Sequence, residues 1–191
     1  RSLLYLFTRT SLFTRISIIY QNKYIDAEKE LRKLGNLSGQ VLPSFLMGEI
    51  QEVLGKHVEA HQIFWKLYQE NRERWDAGLK AATNLLRARQ GDPKALDEAE
   101  AIFRELESQK PFDLRIKVNL AFIALNKGEY RKSERLLVKV LAKDPDNLRA
   151  LESMIYIQSF KRNPKQAKLY LGRLKDKHPN FPNIKQLEEL I

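Results

Sequence analysis

The sequence predicts an all-α fold, a solenoid in which antiparallel helical hairpins stack side by side. Three observations carry this prediction. Pro111, Pro145 and Pro179 are spaced 34 residues apart, and a constant spacing of about 20–50 residues is typical of stacked repeats. The segments between the breaks contain apolar residues at helical period, without the alternation of strands. The composition is rich in Leu, Ala, Lys, Glu and Arg, which favour helix.

On this period the chain divides into about five units, each containing two helices joined by a short break. We place them at residues 8–40, 41–74, 75–113, 114–147 and 148–182, so that one repeat domain covers 1–182. The third unit is about five residues too long, and the additional residues lie near "RQGDPK", between its two helices. Residues 183–191 are predicted to begin a capping helix, because the last hairpin of a solenoid needs a cover.

Local signals place the helix ends. Gly55 and Gly128 are expected to end first helices in the left-handed conformation, and the periodic prolines to end second helices. Asp92 predicts an N-cap with Pro93 at the first helical position, and Asp146 or Asn147 caps a later helix. Small side chains are expected where helices approach closely, and large ones where they fill the space between hairpins: Gly48, Ala60, Ala99, Ala121 and Ala167; Phe64, Phe103, Leu137 and Leu171.

At the C-terminus, Asn183 followed by Gln186 three residues later predicts a capping box. Leu187 and Leu190 are expected to pack inward, with Glu188 and Glu189 outside.

The repeated pattern resembles the tetratricopeptide repeat (TPR) family over essentially the whole chain. The closest matches are Gly128-x-Tyr130 and Asp144-Pro145, whereas Arg162 stands where the fifth unit should have its turn glycine. The resemblance implies a right-handed superhelix whose first helices line a concave groove. Such grooves bind extended peptides or helices of partner proteins, so the resemblance implies a non-catalytic protein-interaction scaffold.

The resemblance also implies which residues face the groove. In the third, fourth and fifth units, the predicted partner-binding residues are Lys80, Arg87, Arg115, Asn119, Phe122, Arg149 and Tyr156. Asn119 occupies a column in which an asparagine holds the backbone of a bound peptide, with its amide as donor and acceptor. The cations suggest a partner segment that is acidic. A clamp for C-terminal carboxylates is disfavoured, because Phe45 and Glu49 occupy columns that this clamp requires to be Lys and Asn.

Catalytic and cofactor signatures are missing from the sequence. The chain has no cysteine, which excludes a disulfide framework and a thiolate metal site. His57 and His61 have the four-residue spacing of metal ligands on a helix, but no third ligand is evident, and a solvated helix face is favoured. No Gly-rich phosphate loop or nucleophile motif occurs. We therefore predict no enzyme, no cofactor and no metal.

The net charge of +10 raises the alternative of an anionic partner. Residues 114–191 contain 17 basic and 8 acidic residues, and the middle of the chain is slightly acidic. Basic residues recur on the predicted second helices of the fourth and fifth units, for example Arg131, Arg135 and Lys139. Such a ridge suits phosphates or an anionic membrane. Nucleic acid is disfavoured, because base-stacking aromatics are not interleaved with these cations.

The N-terminal segment leaves several interpretations open. Residue 1 is arginine, so we expect a fragment or a processed form, and the upstream sequence would show whether a signal, a membrane anchor or further repeats precede it. The first 25 residues have the composition of a transit peptide, but a first helix of the fold is favoured. The apolar stretches 3–7 ("LLYLF") and 12–20 ("LFTRISIIY") suit an upstream repeat, self-association or assembly at a membrane. The compartment stays open.

Overall fold

Helices form every regular element in the described part of the chain. The computed structural model describes residues 23–29 and 41–191, apart from the side chains of residues 41–43. A helical segment at 23–29 (α1) precedes these helices: α2 (Val41–Val53), α3 (His57–Glu70), α4 (Trp75–Ala88), α5 (Pro93–Gln109), α6 (Leu114–Asn126), α7 (Tyr130–Leu141), α8 (Leu148–Phe160), α9 (Pro164–Lys177) and α10 (Ile184–Glu189). The all-α prediction is confirmed. None of the helices among these residues is both long and apolar enough to cross a membrane.

The chain divides into two compact units, Arg1–Gln90 and Gly91–Ile191. The division falls inside "RQGDPK", where the sequence analysis placed the additional residues of its third repeat. The apolar stretches at 3–7 and 12–20, and most of the first predicted repeat, lie outside the described residues.

In the first compact unit, α3 packs against both α2 and α4. Phe64 is fully buried, and its ring lies against Gly48 of α2 so closely that an added Cβ would come within 2.7 Å of the ring. This contact explains why the position requires the smallest residue. Phe45 packs edge-on against the same ring, with the centroids 5.1 Å apart.

In the second compact unit, two apolar clusters hold together the hairpin α6/α7, the hairpin α8/α9 and the capping helix α10. The first joins α6, α7 and α8 through buried residues that include Ala121, Leu137 and Met154. The second joins α8, α9 and α10, and Leu187 of the capping helix is fully buried in it. Leu137 and Leu187 therefore take the inward positions that the sequence predicted.

The predicted helix ends are confirmed at several positions. Gly55 and Gly128 have φ of 74° and 76° at the ends of first helices. The side chain of Asp92 accepts a hydrogen bond from the backbone N–H of Lys94, and Asn147 caps α8 through the N–H of Ala150.

The C-terminal prediction is partly wrong. Asn183 precedes α10, but its side chain makes no capping hydrogen bond, because its backbone (ψ 11°) is not in the extended conformation usual for an N-cap. Leu190 is 44% exposed rather than packed inward. Leu190 is the C-cap residue after Glu189, and its side chain lies beside Phe160 at an open surface and not in the core cluster that contains Leu187.

Arg162 adopts the left-handed conformation that glycine adopts in the other turns, with φ of 55°. For an L-residue this conformation costs about 1–2 kcal/mol. We expect Arg162→Gly to raise the free energy of unfolding by about 0.5–1 kcal/mol, because relief of this strain outweighs the greater chain entropy of glycine. Urea denaturation measures the change. The matched substitution, Gly128→Ala, should destabilise by about 1 kcal/mol. A destabilising Arg162→Gly would contradict the assigned turn geometry.

An ion pair at the edge of the core recurs with the period of the repeat. Glu100 on α5 accepts hydrogen bonds from Lys127 at 2.6 Å and from Lys132 at 3.0 Å. One repeat later along the chain, Glu134 on α7 accepts one from Lys161 at 3.0 Å. Each carboxylate on a second helix thus binds the lysine in the next hairpin turn, and the pair ties successive hairpins together.

Candidate partner-binding face

Five of the seven predicted partner-binding residues lie on α6 and α8 of the second compact unit: Arg115, Asn119, Phe122, Arg149 and Tyr156. We call them the first-helix face. Capping side chains fix where these two helices begin. Asp113 accepts a hydrogen bond from the N–H of Arg115 at 2.8 Å, and Asn147 caps α8 in the same way. The two helices pack against each other within the unit, so the residues belong to one surface.

The two arginines of this face already have anionic partners. The guanidinium of Arg115 contacts both carboxylate oxygens of Asp113, at 3.1 and 2.6 Å. These hydrogen bonds lower the pKa of Asp113 despite its partial burial. Arg149 lies 4.0 Å from Glu152, one turn along α8. Both arginines remain largely exposed, but their charges are locally balanced, which weakens the argument for an acidic partner.

Asn119 is only partly available for a ligand. Its Nδ2 donates to the carbonyl of Arg115 in its own helix at 2.9 Å. Within the described residues its Oδ1 accepts no hydrogen bond. The expected role as donor and acceptor is thereby reduced to that of an acceptor, which can receive a backbone N–H of a peptide.

A cavity of about 320 Å³ opens beside Tyr156. Its walls come from the ends of α6 and α8, the start of α7 and the end of α10, and they are mostly apolar: Leu125, Tyr130, Tyr156, Ser159, Phe160 and Leu190. The rings of Tyr130 and Phe160 stack with their centroids 4.1 Å apart. Burial, together with the nearby charge of Glu152, raises the pKa of Tyr156, so its hydroxyl stays a hydrogen-bond donor at neutral pH.

The cavity contains groups that the sequence analysis missed. Phe160 is 64% exposed although it is a large apolar residue. The Oγ of Ser159 is buried and has no hydrogen-bond partner among the described residues. A usable signal existed, because Phe160 follows Tyr156 by one helical turn and directly precedes the turn "KRNP", where a first helix has to end.

Lys80 and Arg87 belong to the first compact unit, and both form ion pairs there. Lys80 Nζ contacts Glu52 at 3.0 Å and Glu49 at 3.2 Å, and Arg87 contacts Glu52 at 2.9 Å. Burial alone would lower the pKa of Lys80, but the hydrogen bonds to the two carboxylates outweigh burial and raise it. Lys80 also lies 5.4 Å from the ring centre of Phe64. These cations therefore link α4 to α2.

His57 and His61 also contribute to helix packing. The sequence analysis favoured a solvated helix face for these two residues, and that prediction is wrong. The Nδ1 of His57 lies 2.9 Å from Asn84 Oδ1, and that of His61 lies 2.9 Å from the carbonyl of Ala81. Both partners are on α4, because α3 turns this side towards its neighbour. No group of three metal-binding side chains occurs in residues 23–29 and 41–191.

Comparison with known proteins agrees with this architecture. Residues 92–155 match the family model described as tetratricopeptide repeat. TTC0263, a thermophilic TPR protein of Thermus thermophilus, has a similar structure, with a TM-score of 0.70 at 13% identity over 92% of this chain and 95% of its own. YrrB, whose structure is described as that of "a TPR protein with an unusual peptide-binding site", has a TM-score of 0.65 at 17% identity, over 88% of this chain and 84% of YrrB.

MamA of Desulfovibrio magneticus RS-1 is a further structural relative, with a TM-score of 0.69 at 16% identity, over 90% of this chain and 96% of MamA. No curated protein matches the chain in sequence. The TPR fold is in general a protein-interaction scaffold without catalytic function. The repeated hairpins, the family match over residues 92–155 and the fold shared with these proteins together support a tetratricopeptide repeat protein.

Proposed function

We propose that this protein is a non-catalytic scaffold whose second compact unit binds an extended segment of a partner protein on the first-helix face. The observation that carries the proposal is the apolar cavity beside Tyr156, which accompanies a partly exposed Phe122 and an unused acceptor on Asn119. An apolar cavity with a few convergent polar groups is the usual form of a binding site.

Each part of the face has a role in the proposal. Asn119 Oδ1 accepts a backbone N–H of the segment, and Phe122 packs against its side chains. The cavity receives one apolar anchor residue, with the Tyr156 hydroxyl available to a polar atom of that residue. From Arg149 to Phe160 a helix rises by about 16 Å, so about five extended residues would span this length.

The proposal changes the expected chemistry of the partner. Because Asp113 and Glu152 balance Arg115 and Arg149, recognition rests on apolar burial and hydrogen bonds more than on negative charge. Lys80 and Arg87 remain proposed partner contacts of the first compact unit. To bind the partner, each would break its ion pair with Glu52 and form an ion pair with the partner. The peptide-binding site named for YrrB supports the choice of a peptide as ligand.

A peptide-display selection on the purified chain, followed by fluorescence anisotropy of the selected peptides, tests the proposal. We expect peptides that share an apolar anchor. The double variant Asn119→Ala/Phe122→Ala should weaken their binding at least about tenfold, since it removes a hydrogen bond and an aromatic contact. Raising the salt concentration should change Kd by less than about threefold, because few unpaired charges take part.

Phe112→Ala is the matched control, because it also removes a phenylalanine ring. Phe112 is 91% exposed and does not belong to the walls of the cavity. The substitution should leave Kd within about twofold. A selection that enriches no peptide, or selected peptides that bind the double variant as tightly as the native chain, would overturn the proposal.

A further inference from the structure

The outer side of α7 holds cations that have no partner among the described residues. Arg131, Arg135 and Lys139 follow one another at four-residue intervals, so they lie along one side of the helix, and Lys143 follows in the turn after it. All four are exposed. Within the described residues, none of them has a carboxylate within 4.0 Å. This stripe of charge therefore stays free for a ligand.

Helix α9 extends the same feature. Lys165 and Lys168 are exposed and likewise unpaired among the described residues. The two helices are the second helices of successive hairpins in one compact unit, and Arg173 of α9 reaches Asp146 after α7 at 2.9 Å. We call these six residues the outer basic face: Arg131, Arg135, Lys139, Lys143, Lys165 and Lys168.

The acidic residues nearby do not cancel this charge. Glu134 is turned inward, where Lys161 and Gln158 donate to it, and Glu129 pairs with Lys132. Asp176 is exposed on α9 and lies 3.4 Å from Lys177. In contrast to the arginines of the first-helix face, these cations have no carboxylate partner among the described residues. The excess positive charge of the second compact unit is therefore concentrated on α7 and α9.

Two aliphatic residues lie among these cations. Val138 is 52% exposed beside Lys139, and Leu169 is 64% exposed beside Lys168. The aromatic residue next to them, Tyr170, packs against the core clusters instead. Exposed aliphatic groups between cations suit the boundary of headgroups and acyl chains, whereas binding of single-stranded nucleic acid uses exposed aromatic rings for stacking. The composition of the face thus favours lipid over nucleic acid.

We propose that the outer basic face binds peripherally to a membrane surface rich in anionic phospholipid. The six cations lie at the lipid phosphates, and Val138 and Leu169 contact the apolar boundary beneath them. Each basic residue brought to such a surface strengthens binding about fivefold. Because this face is built from second helices, it leaves the residues of α6 and α8 free, and it stands independently of the peptide-binding proposal.

Vesicle flotation tests the proposal, with vesicles of phosphatidylcholine alone or with about 30% phosphatidylserine. We expect binding to the anionic vesicles only, and its loss as the salt concentration rises, because exposed charges are screened. Arg135→Glu/Lys139→Glu should weaken binding at least about 25-fold, as two cations are lost and two anions added. Val138→Ser/Leu169→Ser should weaken vesicle binding by at least about fivefold without changing the charge.

The control Lys94→Glu/Lys185→Glu lowers the net charge by the same amount at exposed positions on α5 and α10 and should change vesicle binding by less than about fivefold. Single-stranded RNA is the competing ligand. Equal binding to neutral and anionic vesicles, or equal loss in the control, would overturn the proposal. The proposal would also be overturned if the chain bound RNA tightly but did not bind vesicles, and if Val138→Ser/Leu169→Ser did not change the RNA affinity. The outer basic face would then bind nucleic acid.

Discussion

Leu137→Ala is expected to lower the free energy of unfolding of the second compact unit by about 3–4 kcal/mol. Leu137 is fully buried at the centre of the cluster that joins α6, α7 and α8. Removing a buried leucine costs about 2–5 kcal/mol, depending on how far its surroundings can close. Two of its cluster neighbours, Ala121 and Ala150, have no longer side chain that could fill the space, which places the cost in the upper part of this range.

Urea denaturation followed by circular dichroism measures this effect. Val138→Ala is the matched control, because the next residue on the same helix is 52% exposed and its truncation should cost less than about 0.5 kcal/mol. Similar small losses for both variants would show that α7 does not pack as described.

Glu100→Gln is expected to cost about 2 kcal/mol at neutral pH. Burial by itself would raise the pKa of Glu100, but hydrogen bonds from Lys127 and Lys132 outweigh burial and lower it to about 2. Glutamine keeps the size of the side chain and removes its charge. Two partly buried lysines then each lose one of their two carboxylate partners. The expected loss in the free energy of unfolding is smaller than for a deeply buried ion pair, because the lysines remain partly solvated.

The contribution of Glu100 to the free energy of unfolding depends on pH. The folded-state pKa of about 2 lies below the ordinary value of 4.5, so the contribution of Glu100 is complete above about pH 4.5 and disappears as pH falls towards 2. Unfolding curves of the native chain and the Glu100→Gln variant should therefore converge over this interval. Asp97→Asn is the control, since Asp97 contacts the same lysine but is 72% exposed, and it should cost less than about 0.5 kcal/mol. A difference that persists at low pH would refute the assigned ion pair.

The ion pairs of Glu100 and Glu134 correspond to a charge repeat in the sequence that the sequence analysis missed. Glu100 and Glu134 are 34 residues apart, and so are Lys127 and Lys161. Opposite charges repeating at the period of the hairpins could have predicted a link between neighbours. The linear pattern alone does not show that a second helix meets the next hairpin turn, so it did not identify which charges form the link.

The sequence by itself determined the helical hairpins and where they begin and end. Asp92, Asn147 and Gly128 act on backbone groups within four residues, and the burial of Leu137 follows from the helical period, so these features were predictable. The family resemblance also indicated α6 and α8 as two of the helices of the proposed partner-binding face.

Only the tertiary structure decided which side chains are free to bind. Lys80 and Arg87 find carboxylates 28 to 35 positions away, whereas Arg135 finds none among the described residues. The cavity beside Tyr156 combines the ends of three helices with the start of a fourth. Partners of this kind come from neighbouring hairpins, and whether two charges meet depends on side-chain direction and helix packing, which periodicity along one chain does not specify.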